Sequence, residues 1–237
     1  MHKFRTAVPT RAAAAALLAL SCAGLTVPAT AAAAPAVTFG SAHYAHPLHG
    51  FSGDSNWGGY IATGSRFTSV TGSWTMPHVT CNSSNDLYAP WIGIDGYGSQ
   101  TVEQTGVQVD CSSGSPQYSG WYEMYPAAPR YFSNPVSAGD AFTASVTDTG
   151  GGSYTLKLTD TTKGWTKTAT SRLSARDASA EAVIESPTGS YPSFSRQDFS
   201  GITVNGRSFA TYGPQAIDSG PYTETALNGG SFSIIPG

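Results

Sequence analysis

The stretch WIGIDGYGSQTVEQTGV, from Trp91 to Val107, decides the fold. Two short apolar arms flank a glycine-rich turn, Asp95 to Gly98, and this pattern is typical of a β-hairpin. The second arm carries Gln104 inside a strand pattern whose alternate positions are Val102 and Gly106. Because a buried amide needs hydrogen-bond partners, Gln104 either belongs to a polar network or lines a cleft.

Outward from this hairpin, short β-prone segments alternate with turns rich in Gly, Pro, Asn, Asp and Ser, and no helical periodicity exceeds two turns. Ser174 is predicted to cap one short helical turn. The predicted strands are Tyr60–Ala62, Phe67–Trp74, Tyr88–Ile94, Val102–Val109, Gly120–Tyr125, Ala141–Thr147, Ser153–Leu158, Ala180–Ile184, Ile202–Val204 and Phe209–Thr211. Ten short strands in one domain predict an all-β sandwich of two packed antiparallel sheets.

The N-terminus is predicted to be a secretory signal peptide over residues 1–34. Lys3, Arg5 and Arg11 precede an apolar run that is followed by small residues, which is the order of a signal peptide. Residues 35–53 are interpreted as a flexible arm or short propeptide, and residues 54–237 as the folded domain. We therefore expect a secreted, extracellular protein with no membrane partner.

The charge of the chain narrows the class of partner. Three of the 12 basic residues lie in the predicted signal peptide, so nine remain against 15 acidic residues, a net charge of about −6. Such a chain has no basic patch, and this argues against a nucleic-acid partner. The low content of carboxylates suits an acidic medium, because few groups would unfold the protein on protonation. We expect a monomer.

Two cysteines, Cys81 and Cys111, remain after removal of the signal peptide. In an oxidising compartment such a pair most simply forms a disulfide. No further residue completes a zinc-type ligand set with them, and we expect no metal and no cofactor. His43, His46 and His49 lie in the N-terminal arm without a carboxylate or cysteine beside them, which favours an arm over a metal site.

Residues two apart in a strand share a face, and this rule collects the polar residues of three segments. In each segment one face is apolar, and the other carries aromatic and polar groups: Trp91 with Asp95, Trp121 with Glu123 and Tyr125, and Glu181 with Glu185. An ordinary solvated sheet surface is one interpretation. Large aromatic side chains on the polar face favour a cleft.

At this point five segments resemble the glutamic peptidases, or eqolisins, in that family's order. They are NWGG (Asn56–Gly59), WIGIDG (Trp91–Gly96), QTGV (Gln104–Val107), WYEMYP (Trp121–Pro126) and AEAVIE (Ala180–Glu185). The chain is identified as a secreted, bacterial member. The resemblance implies a sandwich of two bent antiparallel sheets, concanavalin-like or jelly-roll-like.

The resemblance also implies a metal-independent endopeptidase of acidic optimum that acts on proteins or peptides. In that mechanism Glu181 is the general base that activates water, and Gln104 stabilises the oxyanion. The supporting and substrate-binding positions that it implies are Trp57, Trp91, Asp95, Glu123, Tyr125 and Glu185.

Three residues depart from the family's pattern. Glu103 replaces an apolar residue, and Met124 and Ala182 replace tryptophans. By alternation Met124 and Ala182 lie opposite the glutamates, so these two should affect packing. Glu103 stands beside Gln104, and we expect it to affect substrate preference and the pH optimum.

Two other functions fit the same faces. A β-sandwich glycoside hydrolase would use Glu123 and Glu181 as its acid and nucleophile, although that mechanism does not need the amide of Gln104. A non-catalytic carbohydrate-binding module would use the aromatic face without a positioned base.

Overall fold

The computed structural model describes residues 56–237. The predicted signal peptide over 1–34 and the predicted arm over 35–53 lie outside these residues. The strands are β1 (Trp57–Thr63), β2 (Ser69–Thr75), β3 (Leu87–Asp95), β4 (Val102–Asp110), β5 (Gln117–Tyr125), β6 (Arg130–Tyr131), β7 (Ala141–Asp148), β8 (Ser153–Asp160), β9 (Trp165–Arg172), β10 (Ser179–Glu185), β11 (Gln197–Val204), β12 (Arg207–Ser208), β13 (Gln215–Ile217), β14 (Tyr222–Glu224) and β15 (Phe232–Pro236).

These strands form two antiparallel sheets, which confirms the predicted fold class. The first sheet has the order β13-β1-β10-β3-β4-β5-β6. The second has the order β14-β15-β11-β2-β7-β8-β9, with β12 beside β11. The predicted hairpin is the β3–β4 pair, in which Gly93 faces Gln104 and Asp95 faces Val102.

The main core lies between the two sheets. Ile92 and Val107 of the first sheet belong to the same buried cluster as Val146 and Leu156 of the second. Strand β8 alternates inward and outward residues along its length, so the second sheet buries one face and exposes the other.

The first sheet is buried on both faces along β3, β4 and β10. Its second face carries a separate cluster that we call the cleft face. The buried hydrophobic members of the cleft face are Trp57, Ile61, Ala89, Trp91, Val102, Trp121, Val183 and Ile217. Both faces of the first sheet therefore carry buried apolar groups, and the polar site residues lie on the second of these faces.

Some elements differ from their prediction. The segment predicted as a strand over Phe209–Thr211 is a 3-10 helix, Phe209–Tyr212, which ends at Gly213 in the left-handed region (φ 58°). A short apolar run does not distinguish a strand from a helical turn. No helical turn follows Ser174, and the chain there runs as a loop into β10.

The predicted disulfide between Cys81 and Cys111 is confirmed, with Cα atoms 5.7 Å apart. It joins the segment before β3 to the residue after β4, and so it closes the chain around the central hairpin. Within residues 56–237, no helix is long and apolar enough to cross a membrane.

Candidate active site

Three predicted site residues lie in one row across the cleft face. Glu181 of β10 pairs with Gly93 of β3, Gly93 pairs with Gln104 of β4, and Gln104 pairs with Glu123 of β5. With strands about 4.8 Å apart, the Cα atoms of Glu181 and Gln104 are roughly 10 Å apart. Gly93 has no side chain, so none stands between the carboxyl group and the amide.

Gly93 also makes room for the indole of Trp91. A Cβ atom at Gly93 would lie 2.8 Å from Cζ3 of Trp91, which is closer than side-chain carbons approach. The ring of Trp91 in turn meets Trp57 edge-on, with centroids 4.8 Å apart. The two tryptophans therefore lie together beside the row.

Gln104 is held by the carboxyl group beside it. Its Nε2 donates a hydrogen bond of 2.7 Å to Oε2 of Glu123, and both side chains are fully buried. This bond fixes which end of the amide is the donor end. Glu123 thus orients the amide of Gln104.

Glu181 has the environment of a group that keeps its proton. Burial raises its pKa well above the ordinary value, and the negative charges of Asp95 and Glu103 raise it further. The Ser179 hydroxyl and the Tyr97 N–H oppose this shift, although neither makes a hydrogen bond of normal geometry with the carboxyl group. The raised pKa differs from the value near 4 that an ordinary glutamate would have.

Asp95 binds the protein's own backbone. Its carboxylate accepts hydrogen bonds from the N–H groups of Arg176 (2.9 Å), Asp177 (2.9 Å) and Ala178 (2.8 Å). These residues form the loop that leads directly into β10 and Glu181. Asp95 adopts a left-handed φ of 64°, which ends β3 and aims the side chain at that loop. Asp95 therefore holds in place the loop that precedes Glu181.

Glu185 and Tyr125 occupy the ends of the same face. Glu185 accepts hydrogen bonds from Nε1 of Trp91 (3.0 Å) and from Nδ2 of Asn56 (3.2 Å). Tyr125 pairs with Val102 and packs partly buried against the cleft-face cluster. All eight predicted site residues thus lie on the cleft face or at its edge.

The three departures from the family's pattern lie on the opposite face. Met124 and Ala182 belong to the core between the sheets, as predicted. Glu103 lies there too, fully buried between its register partners Ile94 and Met124. It therefore does not line the cleft beside Gln104.

Several functional side chains escaped prediction from sequence. Ser179 lies two residues before Glu181 on β10, so alternation was the available signal for it, whereas the N–H of Tyr97 comes from the turn after β3 and reaches Glu181 only through the tertiary structure. Gln108 follows Gln104 at the even spacing of the same face, and this alternation was the available signal. Among residues 56–237, no three His, Cys, Asp or Glu side chains are grouped to hold a metal ion.

Comparison with known proteins identifies the family. The model of the Peptidase A4 family matches residues 55–229. Aspergillopepsin-2 of Aspergillus niger is 28% identical over 216 aligned residues, covering 76% of this chain and 77% of that protein. Scytalidopepsin B of Scytalidium lignicola is 39% identical over 113 residues, covering 47% of this chain and 42% of that protein.

Solved structures give the same result. Scytalido-glutamic peptidase, crystallised with a transition state analog inhibitor, superposes with a TM-score of 0.67 at 27% identity, covering 77% of this chain and 98% of that one. Aspergilloglutamic peptidase from Aspergillus niger superposes with a TM-score of 0.53 at 24% identity, covering 64% and 99%, and supports the fold alone. Since the family model matches most of the sequence, the chain belongs to the Peptidase A4 family.

Proposed function

We propose that the chain is an acid endopeptidase in which Glu181 is the general base and Gln104 stabilises the oxyanion. The observation that carries the proposal is their common row across the sheet, with only Gly93 between them. A Cα separation of roughly 10 Å leaves room for a peptide carbonyl and a water between the two side chains. Membership of the family supports the same class of reaction.

The residues would act in two steps. Ionised Glu181 takes a proton from water while the water oxygen attacks the carbonyl carbon, and Gln104 donates an amide N–H to the carbonyl oxygen as that oxygen becomes negative. The intermediate then loses its C–N bond, and protonated Glu181 gives the proton to the leaving nitrogen. An amide stays neutral at every pH, so Gln104 remains a donor in acid.

The environment of Glu181 sets the pH range of this mechanism. A general base works best when its pKa is near the operating pH. Because burial and nearby carboxylates raise the pKa of Glu181, we expect the optimum above the pH of about 4 that an ordinary glutamate would give. Ionisation of Glu103 at higher pH destabilises the fold, as argued below, and keeps the optimum on the acidic side.

A glycoside hydrolase using Glu123 and Glu181 fits the geometry less well. The two acids are three strands apart, or about 14 Å between Cα atoms, and Gln104 stands between them. Glycosidase carboxyl groups flank the sugar directly, whereas here Gln104 lies in the row between the two acids. In addition, Glu123 already accepts a hydrogen bond from the amide of Gln104. A carbohydrate-binding module would not need this positioned pair.

We also propose that the enzyme is exported and acts outside the cell as a monomer on proteins or peptides. The signal-peptide pattern over residues 1–34 supports export, and residues 35–53 would then form an arm or a short propeptide. N-terminal sequencing of protein recovered from the culture medium tests this. A first residue before 20 would contradict cleavage at the predicted site.

Proteolysis of an unfolded protein across pH 2 to 7 tests the reaction. We expect cleavage by the wild type that survives EDTA and pepstatin and is abolished in Glu181→Gln. Glu224→Gln is the control and should keep the activity, because Glu224 is another acid whose pKa burial raises, to about 7, but it is only partly buried and lies in the second sheet. Equal activity in wild type and Glu181→Gln would overturn the assignment. Cleavage of a polysaccharide but of no protein would favour the glycosidase.

A further inference from the structure

Gln108 lies on β4 four residues beyond Gln104, on the cleft face. It pairs with Ser119 of β5, and only 2% of its surface is exposed. A rise of about 3.4 Å per residue puts its Cα roughly 14 Å from that of Gln104. The proposed reaction has no use for a buried amide at that distance.

Tyr131 fixes the orientation of this amide. Its hydroxyl donates a hydrogen bond of 2.8 Å to Oε1 of Gln108. Burial, together with the negative charges of Glu123 and Asp110, raises the pKa of Tyr131, so the phenol keeps its proton. The acceptor end of Gln108 is therefore occupied, and the Nε2 end is left as the donor end.

The donor end has no acceptor among residues 56–237. Gln197 shows what a structural glutamine looks like in the same protein. Tyr88 donates to Oε1 of Gln197, and Nε2 of Gln197 donates to the carbonyls of Thr75 and Asp198. Gln108 has the same tyrosine contact but lacks the two carbonyls. A ligand carbonyl would supply an acceptor for this donor end.

The proposed reaction indicates how a substrate would reach Gln108. A carbonyl bond that points from the Glu181 side toward Gln104 lies across the strands. Carbonyl groups of an extended peptide stand nearly perpendicular to the peptide, so the substrate would run along β4. It would then pass Gly106, which pairs with Trp91 on one side and Trp121 on the other, before it reaches Gln108.

We propose that Gln108, oriented by Tyr131, is a distal subsite that binds a backbone carbonyl of the peptide about four residues from the scissile bond. The proposal rests on the endopeptidase function argued above. Both groups are uncharged, so the subsite takes a main-chain amide of any sequence and keeps its affinity throughout the acidic range. It would make the enzyme favour long, extended substrates.

The test compares peptides that share one scissile sequence and contain four, six or ten residues. Gln108→Met keeps the volume of the side chain and removes its donors. We expect the ratio of kcat/KM for the longest over the shortest peptide to fall three- to tenfold, mainly through KM. Tyr131→Phe should lower the ratio in the same direction. Thr168→Ala, exposed on β9 of the other sheet, should leave the ratio unchanged.

A second arm works without catalysis. Fluorescence anisotropy measures the binding of labelled long and short peptides whose scissile bond is reduced. In a series of long peptides, each of the remaining backbone carbonyls is replaced, one at a time, by a methylene. One replacement should weaken binding to the wild type but not to Gln108→Met. If long peptides bind more tightly than short ones but no peptide of the first arm is cleaved, the subsite is retained and the proposed function is rejected. Cleavage with the same length ratio in wild type and Gln108→Met would reject the subsite alone.

Discussion

Glu103 and Gln104 are neighbours in β4, yet their side chains lie on opposite faces of the first sheet. Gln104 lies on the cleft face and donates to Glu123. Glu103 lies between the sheets, where neither of its oxygens finds a hydrogen-bond partner within residues 56–237. One step along the chain thus separates a positioned amide from a buried acid.

Glu103 should make the fold less stable as the pH rises. Burial and the charges of Asp95 and Asp177 raise its pKa from 4.5 to about 9. The folded state therefore holds this proton more tightly than the unfolded chain does. Stability is complete below about pH 4.5 and falls as the pH rises toward 9, by an amount on the order of several kcal/mol. Thermal unfolding measured from pH 3 to 9 checks this.

In Glu103→Met the melting temperature should change less over the same pH range, because the variant has no proton to lose there. Asp177 and Tyr154 also face this region and remain in the variant. Asp198→Asn is the control, since that carboxylate is exposed on the second sheet. A wild-type melting temperature that stays constant from pH 4 to 8 would contradict the buried-acid interpretation.

Asp95 and Ser179 should move the pH profile in opposite directions. The charge of Asp95 raises the pKa of Glu181, and the hydroxyl of Ser179 lowers it. Asp95→Asn should therefore shift the acidic limb of kcat/KM to lower pH, and Ser179→Ala should shift it to higher pH. Asp95→Asn should also lower the melting temperature, because it weakens the contacts to the loop amides of residues 176–178.

Shifts of equal sign in the two variants would show that at least one of the two residues does not act on Glu181 as proposed. Profiles are compared at temperatures where circular dichroism shows both variants to be folded, so that unfolding does not imitate a change of pKa.

Gln104→Ala should lower kcat by roughly a hundredfold or more, as loss of one oxyanion donor does in other hydrolases. Glu123→Leu should lower kcat less, since the amide remains but loses the acceptor that orients it. Pre-steady-state and steady-state kinetics on one peptide, with melting curves as the control for folding, check both. Near-normal turnover in Gln104→Ala would remove this residue from the mechanism.

Glu185 should behave as a support for the cleft tryptophan. Glu185→Gln keeps an oxygen that can accept from Nε1 of Trp91, and we expect it to retain most of the activity. Glu185→Leu removes the acceptor and leaves the indole N–H buried, which costs about 1–3 kcal/mol of stability and should raise KM. Complete loss of activity in Glu185→Gln, matching that of Glu181→Gln, would instead place Glu185 in the proton transfers.

Alternation along single strands predicted much of the cleft face. Because residues two apart in a strand share a face, Trp121 was placed with Glu123, and Glu181 with Glu185. In the structure these residues lie on the cleft face or at its edge. The same rule applied to Glu103 would have placed this acid in the core, and applied to Gln108 it would have added this residue to the site. The positions of these two residues could therefore have been predicted from the sequence.

Pairing between strands was not available. The hairpin set β3 beside β4, but nothing in the sequence sets Glu181 opposite Gly93, because that register depends on contacts between segments distant in the chain. Nor does it bring Asp95 to the amides of residues 176–178. The strands β13 to β15 near the C-terminus are three to five residues long and carry too few alternations to be predicted.

The disulfide would limit the damage that cleavage by another copy of the same protein could cause. The exported endopeptidase proposed above would meet other copies of itself, and the turn between β3 and β4 exposes Gly98 and Gln100. Both arms of that hairpin lie within the loop that Cys81 and Cys111 close. A molecule cut at this turn would therefore remain one covalent unit, with Trp91 and Gln104 still held in their paired strands. Autolysis at the most exposed point of the hairpin would therefore give a nicked molecule whose two fragments stay joined by the disulfide.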